Sequence, residues 1–132
     1  MLVLDADALI QLEKQDASIF NLLEKLRKEH TDNLAITSAV YAEFYFGLMP
    51  LEIEKREKEI NSIEHYNILD FDKHSAAKFA EIRYKLKKTG QPIPIFDMIT
   101  AAICLRHGST LVTNDSHYKN VEGLKIEFIG NA

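Results

Sequence analysis

The chain has 132 residues and a formal net charge of -4, with 20 acidic and 16 basic side chains. This length suits one compact domain, so we expect residues 1–132 to form a single domain. The hydrophobic fraction of 46% excludes a disordered chain, and the single cysteine excludes an intramolecular disulfide framework. No apolar run reaches the roughly 20 residues of a membrane span, and Asp5 and Asp7 interrupt any signal-like N-terminal segment. We therefore expect a cytoplasmic protein with no membrane partner.

The first half of the chain alternates short apolar runs with helical patterns. The predicted elements are a strand over residues 1–4, a helix from the N-cap Asp16 to His30, a strand over 34–37, a helix over 39–48 and a charged helix over 52–65. Ser38 is the expected N-cap of the fourth of these elements, and Pro50 stops it. The sequence therefore predicts strands separated by helices from its first residues onward.

The second half continues the alternation. The predicted elements are a strand over 67–69, a helix from the N-cap Asp72 to Gly90, a rigid loop over 91–94, an apolar helix over 95–106, and strands over 110–113 and 125–129. Strands alternating with helices of this length are typical of a parallel sheet with crossover connections. The predicted fold class is therefore α/β, a three-layer α/β/α sandwich with a central parallel sheet.

Four acidic residues stand in apolar surroundings near predicted strand ends. Asp5 ends the first strand, Glu43 and Asp97 each interrupt an apolar helix, and Asp115 follows the strand over 110–113 after one residue. A carboxylate in apolar surroundings is costly unless it is paired, protonated or bound to a metal. Ligand crevices of α/β sheets lie at the carboxyl ends of the strands, so these four residues from distant parts of the chain can share one cavity.

Such a group of carboxylates has the chemistry of a divalent cation site. Mg²⁺ and Mn²⁺ prefer oxygen ligands and keep positions open for water and phosphate oxygens. A bound cation can lower the pKa of water and neutralise charge on a phosphate. Each acid taken alone is also explained as a helix cap or a solvated side chain, since Asp is common in turns; taken together, the four favour a metal site.

The sequences around the four acids resemble, in order, the motifs of PIN-domain ribonucleases. Residues 2–10 resemble the first motif, in which an Asp ends the opening strand, and residues 38–44 with Gly47 resemble the second. Residues 94–102 resemble the third motif, an Asp followed by an Ile and paired small residues, and residues 111–115 resemble the fourth. The match extends over nearly the whole chain, and the length of the chain is that of the VapC-type toxins within the family.

The resemblance implies a PIN-like fold and Mg²⁺- or Mn²⁺-dependent hydrolysis of RNA phosphodiester bonds. It implies that Asp5, Glu43, Asp97 and Asp115 are the catalytic metal ligands. It further implies a homodimer and, for the VapC-type members, a small cognate antitoxin as partner. The chain departs from the family pattern at three positions: Asp7 stands where Asn is usual, and Ile95 and His117 stand where many members have an acid.

Several residues are candidates for binding the RNA substrate, each with a simpler explanation beside it. Thr113 and Asn114 can hydrogen-bond a phosphate, or they can form the turn after a strand; Thr37 and Ser38 present the same choice, with capping by Ser38 expected. The basic stretch with Arg83, Lys85, Lys87 and Lys88 can hold phosphates, or it can be a solvated helix end.

Other functions remain as alternatives. A housekeeping PIN-type nuclease in RNA processing would share the same site. Residues 5–7 also resemble the first motif of small haloacid-dehalogenase-like phosphatases, and a receiver-like signalling module also binds Mg²⁺ through acids at strand ends, but the lysines that both need cannot be placed. A zinc site at Cys104 and His107 lacks a second ligand pair. The aromatic segment 44–46 is either core or part of a partner groove.

Overall fold

The structure is a computed structural model that describes residues 1–28 and 34–130. Its strands are β1 (Leu2–Leu4), β2 (Leu34–Thr37), β3 (Asn67–Leu69), β4 (Thr110–Thr113) and β5 (Lys125–Phe128). Its helices are α1 (Ala6–Glu13), α2 (Ala17–Arg27), α3 (Ser38–Leu48), α4 (Ile53–Ile63), α5 (Lys73–Thr89) and α6 (Ile95–His107), with a short 3₁₀ helix over Ser116–Asn120. Within the described ranges, no helix combines the length and apolar character needed to cross a membrane.

The five strands form one parallel sheet in the order β3-β2-β1-β4-β5. The chain moves outward from β1 through β2 to β3, and then returns to the other side of β1 to add β4 and β5. The strand order therefore reverses between β1 and β4, which is where α/β sheets open a ligand crevice at the carboxyl ends of the strands. The predicted parallel sheet and fold class are confirmed.

The alternating side chains of the central strands create two hydrophobic cores. Leu2 and Leu4 of β1 lie in one core with residues of α1, α2 and α3, whereas Val3 lies in the other core with residues of α5 and α6. This alternation follows from strand geometry, since successive side chains point to opposite faces of the sheet. Helices cover both faces of the central strands β1, β2 and β4, which are almost entirely buried, whereas the edge strands β3 and β5 are partly exposed.

The structure corrects the predicted helices at two places, one helix that was not predicted and one wrong N-cap. Helix α1 was not predicted, because residues 6–13 follow the motif strand so closely that they were interpreted only as part of the motif. Ser38 is not the cap of α3: it is the first helical residue, and the Thr37 hydroxyl accepts the hydrogen bond from Val40 N at 3.1 Å. The caps predicted at Asp16 and Asp72 are confirmed, with carboxylate oxygens 2.8 Å from Ser18 N and Ser75 N.

The predicted element ends differ from the observed ones by one or two residues at most positions, as is usual for helix ends. The helix expected over 52–65 is Ile53–Ile63, the helix expected over 95–106 is Ile95–His107, and the strand expected over 125–129 is Lys125–Phe128. The predicted end of the second helix at His30 lies outside the described residues.

Candidate metal centre

Asp5 is the most enclosed of the four predicted acids. It follows β1 directly and is the N-cap of α1, with Oδ1 accepting a 2.8 Å hydrogen bond from Ala8 N. Its other carboxylate oxygen accepts a hydrogen bond from the Thr113 hydroxyl, and only 3% of the residue is exposed. Burial raises the pKa of Asp5 to about 6, although both hydrogen bonds act to lower it. The two hydrogen bonds therefore fix the orientation of the side chain, and burial makes its ionised form costly.

Thr113 connects the first and fourth motifs. It ends β4 next to β1 and is fully buried; its hydroxyl donates to Asp5 and accepts from Asp115 N at 3.0 Å. The hydroxyl is thus engaged inside the protein, and Thr113 does not line the acidic cavity. The geometry makes Thr113 a positioning residue for Asp5 and for the turn that carries Asp115.

Glu43 reaches the site from α3. The N-cap of this helix is Thr37, whose hydroxyl lies 2.9 Å from that of Thr100 on α6, so a buried hydrogen bond connects the start of α3 to α6. Glu43 is half-buried, and its pKa is raised by burial first and then by the negative charges of Asp97 and Asp7. Neighbouring negative charges of this kind disfavour the ionised form of Glu43 and attract cations.

Asp97 lies in the first turn of α6, where the positive end of the helix dipole favours a carboxylate. Its Oδ2 is 2.8 Å from Nε2 of His117, which stands on the 3₁₀ helix after β4. The two side chains are 19% and 31% exposed. His117 was not predicted as a site residue; the one available signal was its position, where many family members have an acid.

The four predicted acids and Asp7 line one open cavity of about 420 Å³. Four of these carboxylates belong to two overlapping groups of potential ligand atoms, each with one atom per residue and all atoms within 4.8 Å of one another. Asp5, Asp7 and Asp115 form one group; Asp97 and Asp115 form the other with His117, which is not a lining residue. No lysine or arginine of the described chain lines the cavity. Carboxylates without a basic partner have the chemistry that hard divalent cations require, so the residues fit such an ion.

The predicted substrate-binding residues are not drawn into this cavity. Asn114 is exposed, as are Arg83, Lys87 and Lys88 on α5, and none of the four lines the acidic cavity. Lys85 and Lys88 line a separate groove of about 720 Å³ beside α5, where Lys85 lies 3.5 Å from Glu122 and Lys88 lies over the ring of Tyr84. Binding of phosphate by these residues is an untested prediction.

The structure also bears on two other features of the sequence, the pair Cys104 and His107 and the aromatic segment 44–46. Cys104 is fully buried, with a pKa raised by burial to about 12, whereas His107 is exposed. Neither belongs to a group of potential metal ligands among the described residues, so Cys104 is a core residue. The aromatic segment divides: Phe44 packs against the core, while Tyr45 and Phe46 are exposed on α3.

Comparison with known proteins identifies the family. The PIN domain matches residues 2–124. The chain belongs to the PIN domain family. This family match favours a PIN domain over the phosphatase and receiver alternatives. The family predicted from the four motifs is confirmed.

Relatives with VapC names share much of the chain. It is 26% identical over 97 residues to the tRNA(fMet)-specific endonuclease VapC of Shigella flexneri, an alignment that covers 71% of this chain and 74% of the relative. Among solved structures, DNA-bound VapBC2 of Rickettsia felis is 26% identical with a TM-score of 0.85 and 98% of each chain covered. VapBC-1 of nontypeable Haemophilus influenzae superimposes with a TM-score of 0.84 at 21% identity, with 96% of each chain covered, and supports the fold alone.

Proposed function

We propose that this PIN-domain protein is a metal-dependent endoribonuclease and the toxin of a toxin–antitoxin pair. The observation that carries the proposal is the cavity at the carboxyl ends of β1 and β4, into which five carboxylates converge without a lysine or arginine among the described lining residues. A site of this kind attracts divalent cations and, once they are bound, the phosphates of a nucleic acid. The relatives named VapC support hydrolysis of RNA as the reaction.

Asp5, Glu43, Asp97 and Asp115 would hold the ion, Mg²⁺ or Mn²⁺, directly or through water. When bound, a cation of this kind lowers the pKa of a water molecule and neutralises charge that develops on the phosphate. The chain's own contribution is to fix the ligands beforehand. Ala8 N and the Thr113 hydroxyl orient Asp5, and α6 presents Asp97 from its first turn.

The rim of the cavity suits single-stranded RNA. Ile95 and Phe96 line the cavity beside Asp97, and both side chains are about half exposed. RNA-binding proteins often pack unpaired bases against exposed aromatic side chains. Many family members have an acid at the position of Ile95. In this chain the position next to the proposed substrate therefore has an apolar side chain instead of a negative charge.

A cognate antitoxin and a second copy of the chain are the proposed protein partners, in the cytoplasm. Solved relatives of this fold were crystallised as VapBC complexes. The end of α3 and the start of α4 carry exposed Phe46, Met49 and Ile53, and exposed apolar side chains that group together are typical of protein interfaces. These side chains support an interface at the junction of α3 and α4.

The activity is tested by incubating the purified protein with total RNA in Mg²⁺, in Mn²⁺ and in EDTA. We expect discrete cleavage products with either metal, none in EDTA, and recovery when the metal is restored in excess. Cleavage that continues unchanged in EDTA after prior dialysis against the chelator would falsify the metal mechanism.

The toxin assignment is tested separately from the nuclease activity. We expect expression of the chain alone to arrest growth of its host, and co-expression of the small protein encoded beside it to restore growth and to co-purify with it. A chain that cleaves RNA but neither arrests growth nor binds that neighbour would be a housekeeping nuclease instead.

A further inference from the structure

His117 is not among the residues that line the acidic cavity, but its imidazole lies within 4.8 Å of two of the carboxylates that are. Its Nε2 is 2.8 Å from Asp97 Oδ2, and an oxygen of Asp115 completes a group within 4.8 Å. The side chain is only partly exposed, and it is carried by the 3₁₀ helix that Asp115 itself precedes. An imidazole therefore lies among the carboxylates, as one of the side chains that surround the same small volume.

The spacing within this group suits ligands of one ion. Neighbouring ligand atoms of an octahedral cation with bonds of about 2.1 Å lie about 3 Å apart, close to the observed separation of the imidazole and the Asp97 carboxylate. The same two atoms can thus bind a shared cation after small side-chain rotations. Asp115 belongs to both groups of potential ligands, so it lies between this position and the carboxylates of Asp5 and Asp7.

The two groups differ in chemistry. Asp5, Asp7 and Asp115 offer oxygen atoms only, which suits Mg²⁺. Asp97, Asp115 and His117 offer two carboxylates and one nitrogen. Mg²⁺ accepts nitrogen ligands poorly and gives up its water reluctantly, whereas imidazole binds divalent transition metals well.

We propose that His117 is a metal ligand and that the position formed by Asp97, Asp115 and His117 selects a divalent transition metal such as Mn²⁺ over Mg²⁺. This inference rests on the proposed function only in that the cavity must bind a cation. It goes further because it assigns a nitrogen ligand to this position. It also assigns a preference for transition metals, which a site made only of carboxylates would lack.

The test uses Mn²⁺ itself as the probe, on the full chain without RNA. Titration followed by electron paramagnetic resonance counts bound Mn²⁺, since the signal of the free hydrated ion is lost on binding. Electron spin echo measurements of the bound ion then detect the ¹⁴N coupling of a directly bound imidazole. Competition with Mg²⁺ in the same titration gives the ratio of the two affinities.

Two substitutions separate ligation from structure. We expect His117→Gln to weaken Mn²⁺ binding by about tenfold or more and to abolish the ¹⁴N coupling. His117→Asp keeps a ligand but replaces nitrogen by oxygen, so we expect it to retain Mn²⁺ binding, lose the ¹⁴N coupling and lower the Mn²⁺ to Mg²⁺ affinity ratio by about tenfold. His107→Gln, at the exposed end of α6 outside the cavity, is the matched control and should change none of these quantities.

The outcomes also distinguish this inference from the nuclease proposal. Bound Mn²⁺ without ¹⁴N coupling, or an affinity ratio that His117→Asp leaves unchanged, overturns the ligand role of His117 even if the protein cleaves RNA. Bound Mn²⁺ with ¹⁴N coupling that His117→Gln removes supports the ligand role even if no RNA is cleaved. A folded His117→Gln variant, checked by circular dichroism, is required for either conclusion.

Discussion

The two sides of the acidic cavity are held in different ways. On the β1 side, Asp5 is buried and its two carboxylate oxygens are each engaged, one by Ala8 N and one by the Thr113 hydroxyl. On the α6 side, Asp97 and His117 are partly exposed and meet each other across 2.8 Å. The first side is built into the sheet by hydrogen bonds, whereas the second is formed by two side chains from the surface of separate helices. The comparison indicates that the fold fixes one half of the site by buried hydrogen bonds, whereas the other half consists of partly exposed side chains that contact each other.

The largest expected effect tests whether both sides serve the same reaction. Asp5→Asn and Asp97→Asn should each lower RNA cleavage by about a thousandfold, because charge stabilisation by a bound metal is worth several kcal/mol. Initial cleavage rates on one RNA substrate measure this. Glu57→Gln on the exposed face of α4 is the control and should retain full activity. If either variant had normal activity, the substituted aspartate would not be part of the catalytic site.

The same pair of variants should differ in stability, because Asp5 is almost fully buried whereas the side chain of Asp97 is 19% exposed. The rise in the pKa of Asp5 from 3.8 to about 6 corresponds to about 3 kcal/mol between its two protonation states. In EDTA at neutral pH, we expect Asp5→Asn to be more stable than the wild type by up to about 3 kcal/mol, and Asp97→Asn to differ little. Urea denaturation measures both differences.

The pH dependence of that difference has a definite sign. Since the pKa of Asp5 is raised in the folded state, its contribution to stability is complete below about pH 4 and is lost as pH rises to about 6. The stability gain of Asp5→Asn should therefore be near zero at pH 4 and largest above pH 6. A gain that is equal at both pH values would contradict burial of the Asp5 charge as its cause.

A smaller effect is expected from the residue that positions Asp5. Thr113→Val keeps the shape of the side chain but removes the hydroxyl that bonds Asp5 and Asp115 N. The buried groups left without a partner should cost about 1–3 kcal/mol of unfolding free energy. Thr110→Val, at the half-buried start of the same strand, is the matched control and should cost less. Equal losses would indicate that the effect comes from strand packing.

The last expected effect is stabilisation by the cation, whose size depends on the metal concentration. A metal that binds only the folded protein stabilises it by about 2.7 kcal/mol at a concentration 100 times its Kd. We expect millimolar Mn²⁺ to raise the Tm by several degrees, measured by differential scanning calorimetry against a sample in EDTA. Asp5→Asn, already relieved of its buried charge, should show a smaller rise. An unchanged Tm in the wild type would argue against a cation shared by the two sides.

Much of the fold could be predicted because its signals are local. Four acids within or directly after apolar runs, and caps such as Asp16 and Asp72, are visible in short windows of sequence. Helix α1 was missed, because its eight residues overlap the first motif. The cap of α3 was assigned one residue late, since Thr37 and Ser38 are both good capping residues and only the backbone geometry distinguishes them.

The sequence by itself determined the fold class and the family and predicted the four acids as candidate ligands, because these depend on residue type, order and spacing along the chain. The tertiary structure decided what surrounds each acid. It placed the Thr113 hydroxyl between Asp5 and Asp115, and it brought His117 to Asp97 across twenty positions of sequence. These contacts form only when parallel strands and helices of distant segments end at the same edge of the sheet. For that reason the candidate ligands could be predicted from the sequence, while their hydrogen bonds and pKa shifts could not.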